Sequence, residues 1–158
     1  MTGSIYQDPQ YLRIERILSA TVEQVFEAWT DPRLMALWLS PVGRAEVEND
    51  LSVAGRYRVL MVGEDMRIEH TGQYLEIEPP HRLSFTWNSP YTGDEPSVVT
   101  VELAPHADQT RLVLVHQRLP EDKVDSHAGG WGTMLDRLTE LLRTHSQHDR
   151  PESTAVPS

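Results

Sequence analysis

The sequence predicts an α+β protein: a curved antiparallel sheet of about seven strands around one long C-terminal helix, in the order β-α-α-β-β-β-β-β-β-α. Three observations predict it. From Ala45 to Gln117 the hydrophobic period is two, broken only by turns too short to hold a crossover helix, so neighbouring strands must run antiparallel. One long amphipathic stripe, Ala128 to Leu142, follows the last strand and is the only element large enough to cover an apolar sheet face. Two short helical patterns separate the first strand from the rest.

Tyr11 to Leu18 opens the pattern, with Leu12, Ile14 and Arg16 on one parity and Arg13, Glu15 and Ile17 on the other. Thr21 and Gln24 have capping-box spacing, and Val22, Val25, Phe26 and Trp29 follow at helical intervals. Asp31 and Pro32 start a second helix as cap and first-turn residue, with Leu34, Leu37 and Trp38 as its apolar face; Pro41 and Gly43 end it. Strands are expected over Ala45–Asp50, Arg56–Val62, Met66–Glu78, Arg82–Asn88, Ser97–Ala104 and Arg111–Gln117, separated by Gly- and Pro-containing turns. The last helix is expected from Glu121 to Thr144. Gly129, Gly130 and Gly132 interrupt its propensity, which points to a close approach to its backbone or a late helix start. Residues 1–10 read as an N-terminal extension, 11–145 as the domain and 146–158 as a disordered polar tail.

Composition narrows the function. Twenty-four acidic against 14 basic residues give a net charge of −10, which repels phosphate backbones and anionic lipid, so neither nucleic acid nor membrane is an expected partner. The absence of cysteine excludes thiolate chemistry and zinc–thiolate sites. The seven histidines show no ligand spacing, so no metal and no other cofactor is expected. No hydrolase elbow, phosphate loop or dinucleotide fingerprint is present. The polar N-terminus and the lack of a long apolar run place the expected location in the cytoplasm, as monomer or homodimer.

Four blocks carry a family resemblance. Thr21 to Pro32, continuing through Leu37-Trp38 to Pro41, resembles the opening signature of single-domain homologues of the activator of heat-shock-protein-90 ATPase, within the START-like, birch-pollen-allergen-like superfamily called SRPBCC. Ala54-Gly55-Arg56-Tyr57 resembles the Gly-Gly-x-aromatic that opens the family's third strand, with alanine in place of the first glycine. Gly72 to Trp87 is similar to its long hairpin. Thr110 to His116, Gly130-Trp131 and Leu135 to Leu138 are similar to its C-terminal part. The resemblance covers roughly residues 11–143 and implies a helix-grip fold with a ligand cavity between sheet and helix. It also implies two alternatives: a cyclase- or aromatase-like enzyme in the same cavity, and a chaperone-associated interaction module. Against the last stands the co-chaperone's additional N-terminal domain, where only ten residues precede Tyr11 here.

Strand parity selects the inward set. Tyr57, Val59 and Met61 share a face, as do Phe85 and Trp87, and Leu112, Leu114 and His116; Val99 and the helical Trp131 complete the expected wall. For any one of them the plain reading is core packing. The functional reading is a pocket for a small lipophilic molecule, with His70 and His116 as its polar contacts. For the enzyme alternative, His70, His116 and Tyr74 are the acid–base candidates. Position 70 depends on whether the strand through Gly72 carries a bulge, which would flip the face of everything before it.

Overall fold

A computed structural model describes residues 5–8, 11–90, 92 and 96–148. Its elements are β1 (Ile5–Asp8), β2 (Tyr11–Leu18), α1 (Val22–Thr30), α2 (Pro32–Trp38), β3 (Arg44–Asn49), β4 (Arg56–Val62), β5 (Arg67–Glu78), β6 (Arg82–Trp87), β7 (Ser97–His106), β8 (Gln109–Gln117) and α3 (Val124–His148), the last entered through a single 3-10 turn at Glu121–Lys123. The strands form one antiparallel sheet in the order β1-β2-β8-β7-β6-β5-β4-β3. This is the expected α+β helix-grip arrangement with one additional edge strand. Part of the N-terminal extension is therefore structured, since β1 pairs with β2. At the other end α3 runs to His148, past the expected start of the tail; residues 149–158 lie outside the described ones.

Local chemistry sets each boundary. Thr21 and Gln24 form the reciprocal capping box, and the Asp31 carboxylate accepts from the Arg33 amide at 2.9 Å while Pro32 occupies the first turn of α2. Gly43 turns the chain into β3 at φ +62°, where an added Cβ would stand 2.0 Å from the Val62 carbonyl oxygen. Ala54 holds a left-handed φ of 69° before β4, the conformation that glycine adopts without strain.

The bulge on β5 falls between Tyr74 and Glu76. It lies C-terminal to His70, so Ile68, His70, Gly72 and Tyr74 keep one parity and His70 is buried; beyond the bulge Ile77 takes over the inward role. Gly72 is required by close packing: a Cβ there would meet the Thr86 carbonyl oxygen at 2.0 Å and the Tyr57 hydroxyl at 2.7 Å.

One continuous core joins the sheet's concave face to the helices. The α3 backbone comes closest to β1, β2 and α2. Arg16, on the inward parity of β2, reaches α3, bonding Asp136 at 2.8 Å and the Gly132 carbonyl at 3.3 Å. Over the β4–β6 half, side chains span the gap. Trp131 approaches Trp29 (ring centroids 5.9 Å) and Trp87 (5.1 Å), and Tyr57 meets Phe85 edge-on at 5.6 Å. The gap between α3 and this half of the sheet is where the site lies.

Candidate functional site

Between α3 and strands β4, β5 and β6 lies a cavity of about 260 Å³. Its sheet wall is Met61, Ile68, His70 and Trp87. Its helix wall is His127, Gly130, Trp131 and Met134, with Pro41, Ser89 and Ser126 at the rim. The helix residues fall at i, i+3, i+4 and i+7, one stripe of α3. A neighbouring stripe, Ala128, Leu135, Leu138 and Leu142, is buried in the core. The two stripes share Trp131, which is completely buried and belongs to both wall and core.

Of the residues expected to line a cavity, the structure brings together Met61, His70, Trp87 and Trp131. Tyr57, Val59 and Phe85 instead line a separate void of about 10 Å³, deeper under α1 and α2. That is the size of about one water molecule. Val99, Leu112, Leu114 and His116 line neither space; all four are completely buried. They share the inward face, but they sit on β7 and β8, the part of the sheet that α1 approaches. Parity identifies the face and cannot say how far the opposing helix stands from it.

His116 is the clearest correction. The Trp131 indole N–H donates to His116 Nδ1 at 3.0 Å, so Nδ1 is the unprotonated nitrogen. Its Nε2–H then donates to the Ser97 hydroxyl at 2.8 Å, and that hydroxyl donates onward to the Trp87 carbonyl. Both ring nitrogens are used, so His116 has nothing left to offer a ligand or a reaction. Burial, then the neighbouring His127 and His70, push its pKa well below the ordinary value. Its role is to tie α3 to β7 and β8 behind the cavity.

His127 Nδ1–H donates to the Lys123 carbonyl oxygen at 2.9 Å; since a carbonyl only accepts, Nδ1 carries the proton. Burial lowers its pKa, against the opposing effect of that hydrogen bond. His70 differs from both. It is 6 % exposed, its ring lies 4.4 Å from that of Trp87, and its side chain makes no hydrogen bond to a described residue, with Nδ1 buried and unpartnered. Burial and then His127 lower its pKa to about 4, so it is neutral at ordinary pH. Tyr74, the other acid–base candidate, lines the small void, where its hydroxyl accepts from Asn49 at 3.1 Å.

Sequence reasoning missed Pro41, Ile68, Gly130 and Met134 as lining, and Arg137 as the residue that holds the rim. Arg137 donates from α3 to the Ser40 and Gly43 carbonyls, fixing the loop that carries Pro41. The available signal was helical phase: His127, Gly130, Trp131 and Met134 are spaced as one face. Gly129 and Gly130 are not explained by close packing of the chain itself, because a Cβ at either would meet no heavy atom within 4 Å, whereas Gly132 is approached by Arg16, whose Nη2 would lie 3.9 Å from a Cβ there. Nor is there a late helix start, since α3 begins at Val124.

Among the described residues, no group of three or more histidines and carboxylates is placed to hold a metal ion. No described helix is long and apolar enough to cross a membrane.

A family model described as Activator of Hsp90 ATPase homolog 1-like protein matches residues 19–143. Among solved structures, a protein from Chromobacterium violaceum is 28% identical, with 85% of this chain and 98% of that one covered at a TM-score of 0.77. A protein from Bordetella parapertussis is 26% identical, covering 100% of this chain and 92% of that one at 0.72. A protein from Rhodobacter sphaeroides, at 24% identity, covers 90% and 99% at 0.78 and speaks for the fold alone. No curated protein matches the sequence.

Proposed function

Since the chain belongs to the Activator of Hsp90 ATPase homolog 1-like family, within the START-like SRPBCC superfamily, we propose that it binds a small hydrophobic or aromatic molecule in the space between its sheet and α3. The observation that carries this reading is the cavity of about 260 Å³, walled by Met61, Ile68, Trp87, Trp131 and Met134, with His70 as a buried polar group among them. Ligand pockets are concave and largely apolar, with a few placed polar groups, and at about 260 Å³ this one lies just below their usual size range of about 300–1,000 Å³. It therefore suits a molecule of one or two rings.

The alternative, a cyclase- or aromatase-like reaction in the same space, rests on His70. His116 is occupied by Trp131 and Ser97, and Tyr74 faces elsewhere. A histidine with a pKa of about 4 is a weak base and carries almost no acid form near neutrality. Binding is the reading that needs no further group.

Trp87 and Trp131 line the cavity, so occupancy should change the intrinsic fluorescence and raise the melting temperature. The test is a screen of one- and two-ring compounds by both readouts, on the native chain and on Ile68→Trp. Ile68 is a half-buried wall residue, and an indole there fills the space without disturbing the buried core. Hits should bind the native chain and be lost from the folded variant. Equal binding to both would place the site elsewhere, and turnover of a hit would favour the enzyme alternative.

A further inference from the structure

The three histidines around Trp131 and Trp87 are not equivalent. His116 has both ring nitrogens bonded inside the chain, to Trp131 and Ser97, while His127 has Nδ1 bonded to the Lys123 carbonyl and is only half-buried. His70 is 6 % exposed, lies on the cavity wall, and makes no side-chain hydrogen bond to a described residue. A buried polar group left without a partner is costly, and folded proteins seldom keep one without a reason. The ring packs against Trp87, with 4.4 Å between ring centroids and 32° between the planes.

The rest of the lining limits what can meet it. Among the described lining residues there is no Lys, Arg, Asp or Glu. A carboxylate or ammonium ligand would leave water without a counter-charge, which is strongly unfavourable. A neutral imidazole offers one donor and one acceptor, and the proton can sit on either nitrogen. A hydroxyl answers both cases, because it donates to the bare nitrogen or accepts from the protonated one. Opposite His70, Gly130 leaves bare helix backbone on the wall, with open space where a side chain would begin. A flat ring can lie there.

We propose that the molecule taken by this cavity is an uncharged, flat one- or two-ring compound bearing a hydroxyl group, a phenol or its alicyclic counterpart, whose hydroxyl hydrogen-bonds the His70 imidazole. The proposal rests on the cavity being a ligand site. It assigns His70 the role of specificity residue and makes the hydroxyl, rather than apolar area alone, the feature that selects the ligand.

The test uses two probes of nearly the same shape, 2-naphthol and 2-methylnaphthalene, titrated into the full chain near neutral pH with tryptophan fluorescence as the readout. A purely apolar cavity prefers the methyl compound, because it is the more hydrophobic. The His70 site reverses that order, with 2-naphthol binding tighter by about tenfold, the scale of one net hydrogen bond. In His70→Phe, which keeps a ring against Trp87, the order should invert to favour 2-methylnaphthalene. Tighter or equal binding of 2-methylnaphthalene by the native chain overturns the hydroxyl assignment while leaving the cavity reading standing. No binding of either probe overturns both. Should His70→Phe fail to fold, imidazole nitrogen resonances of the native chain decide. Those of His70 move with 2-naphthol and not with 2-methylnaphthalene if the proposal holds, and unmoved resonances at saturating 2-naphthol contradict it.

Discussion

Trp131 joins the helix to the sheet through one nitrogen. Its indole N–H is the donor that fixes the His116 tautomer, and the chain continues through Ser97 to the Trp87 carbonyl, so two residues that line the cavity are linked behind it. Trp131→Phe keeps most of the apolar bulk and removes the donor. His116 Nδ1 would then be buried without a partner, at a cost of about 1–3 kcal/mol beyond the loss of ring volume. Urea denaturation of the two chains measures it; a change within about 0.5 kcal/mol, the scale of ordinary surface substitutions, would show that the linkage carries no stability. This arrangement was only half legible in the sequence. The burial of Trp131 and His116 follows from stripe and parity, but two buried residues far apart in the chain reveal nothing of the bond between them. Parity alone makes His116 a polar contact for a ligand, and the structure makes it the partner of Trp131.

At the scale of elements, strand parity and helix phase were readable, and spacing between layers was not. Every predicted strand is present, with ends displaced by a few residues, because turn chemistry marks the neighbourhood of a boundary and pairing decides the last residue. Strand β1 was missed: four residues are too few to show a period, and its place depends on the free edge of β2. Val99, Leu112 and Leu114 share a face with the cavity's lining, yet they lie on β7 and β8, where α1 closes on the sheet. The glycines of α3 were readable as an anomaly and not as a wall. Gly130→Ala tests what the position does. Alanine is better in a helix by about 0.5–1 kcal/mol, and its methyl meets nothing within 4 Å, so stability should rise by about that amount. Cavity hits should bind more weakly, because the methyl takes space that the ligand uses. Raised stability with undiminished binding would remove Gly130 from the site.

For the molecule as a whole, the buried histidines link stability to pH. His70, His116 and His127 all have pKa values below the ordinary histidine value of about 6.5. As pH falls through that value the unfolded chain takes up protons that the folded chain refuses. Stability is thus fully present above about pH 6.5 and declines below it, by at most about 1.4 kcal/mol per pH unit for each histidine. The decline attributable to His70 continues until its folded value of about 4 is passed. Carboxylates held low by arginine partners, Glu15, Asp31 and Glu140, contribute only as pH drops through and below the ordinary carboxylate range, so the interval between about pH 6.5 and 5 reports the histidines. Urea unfolding at pH 7, 6 and 5 should show this slope, and a shallower one in His70→Phe. A flat profile across the interval would mean that the histidines are not buried neutral.

A molecule lying between β4–β6 and α3 can be shown directly by proton–proton contacts. With 2-naphthol at saturation and the methionine and isoleucine methyls labelled, nuclear Overhauser effects should connect its ring protons to Met61, Ile68 and Met134, the three labelled wall residues of the cavity. Contacts from the probe only to methyls outside that wall, such as Met35 of α2 at the small void, or none at saturation, would contradict the site.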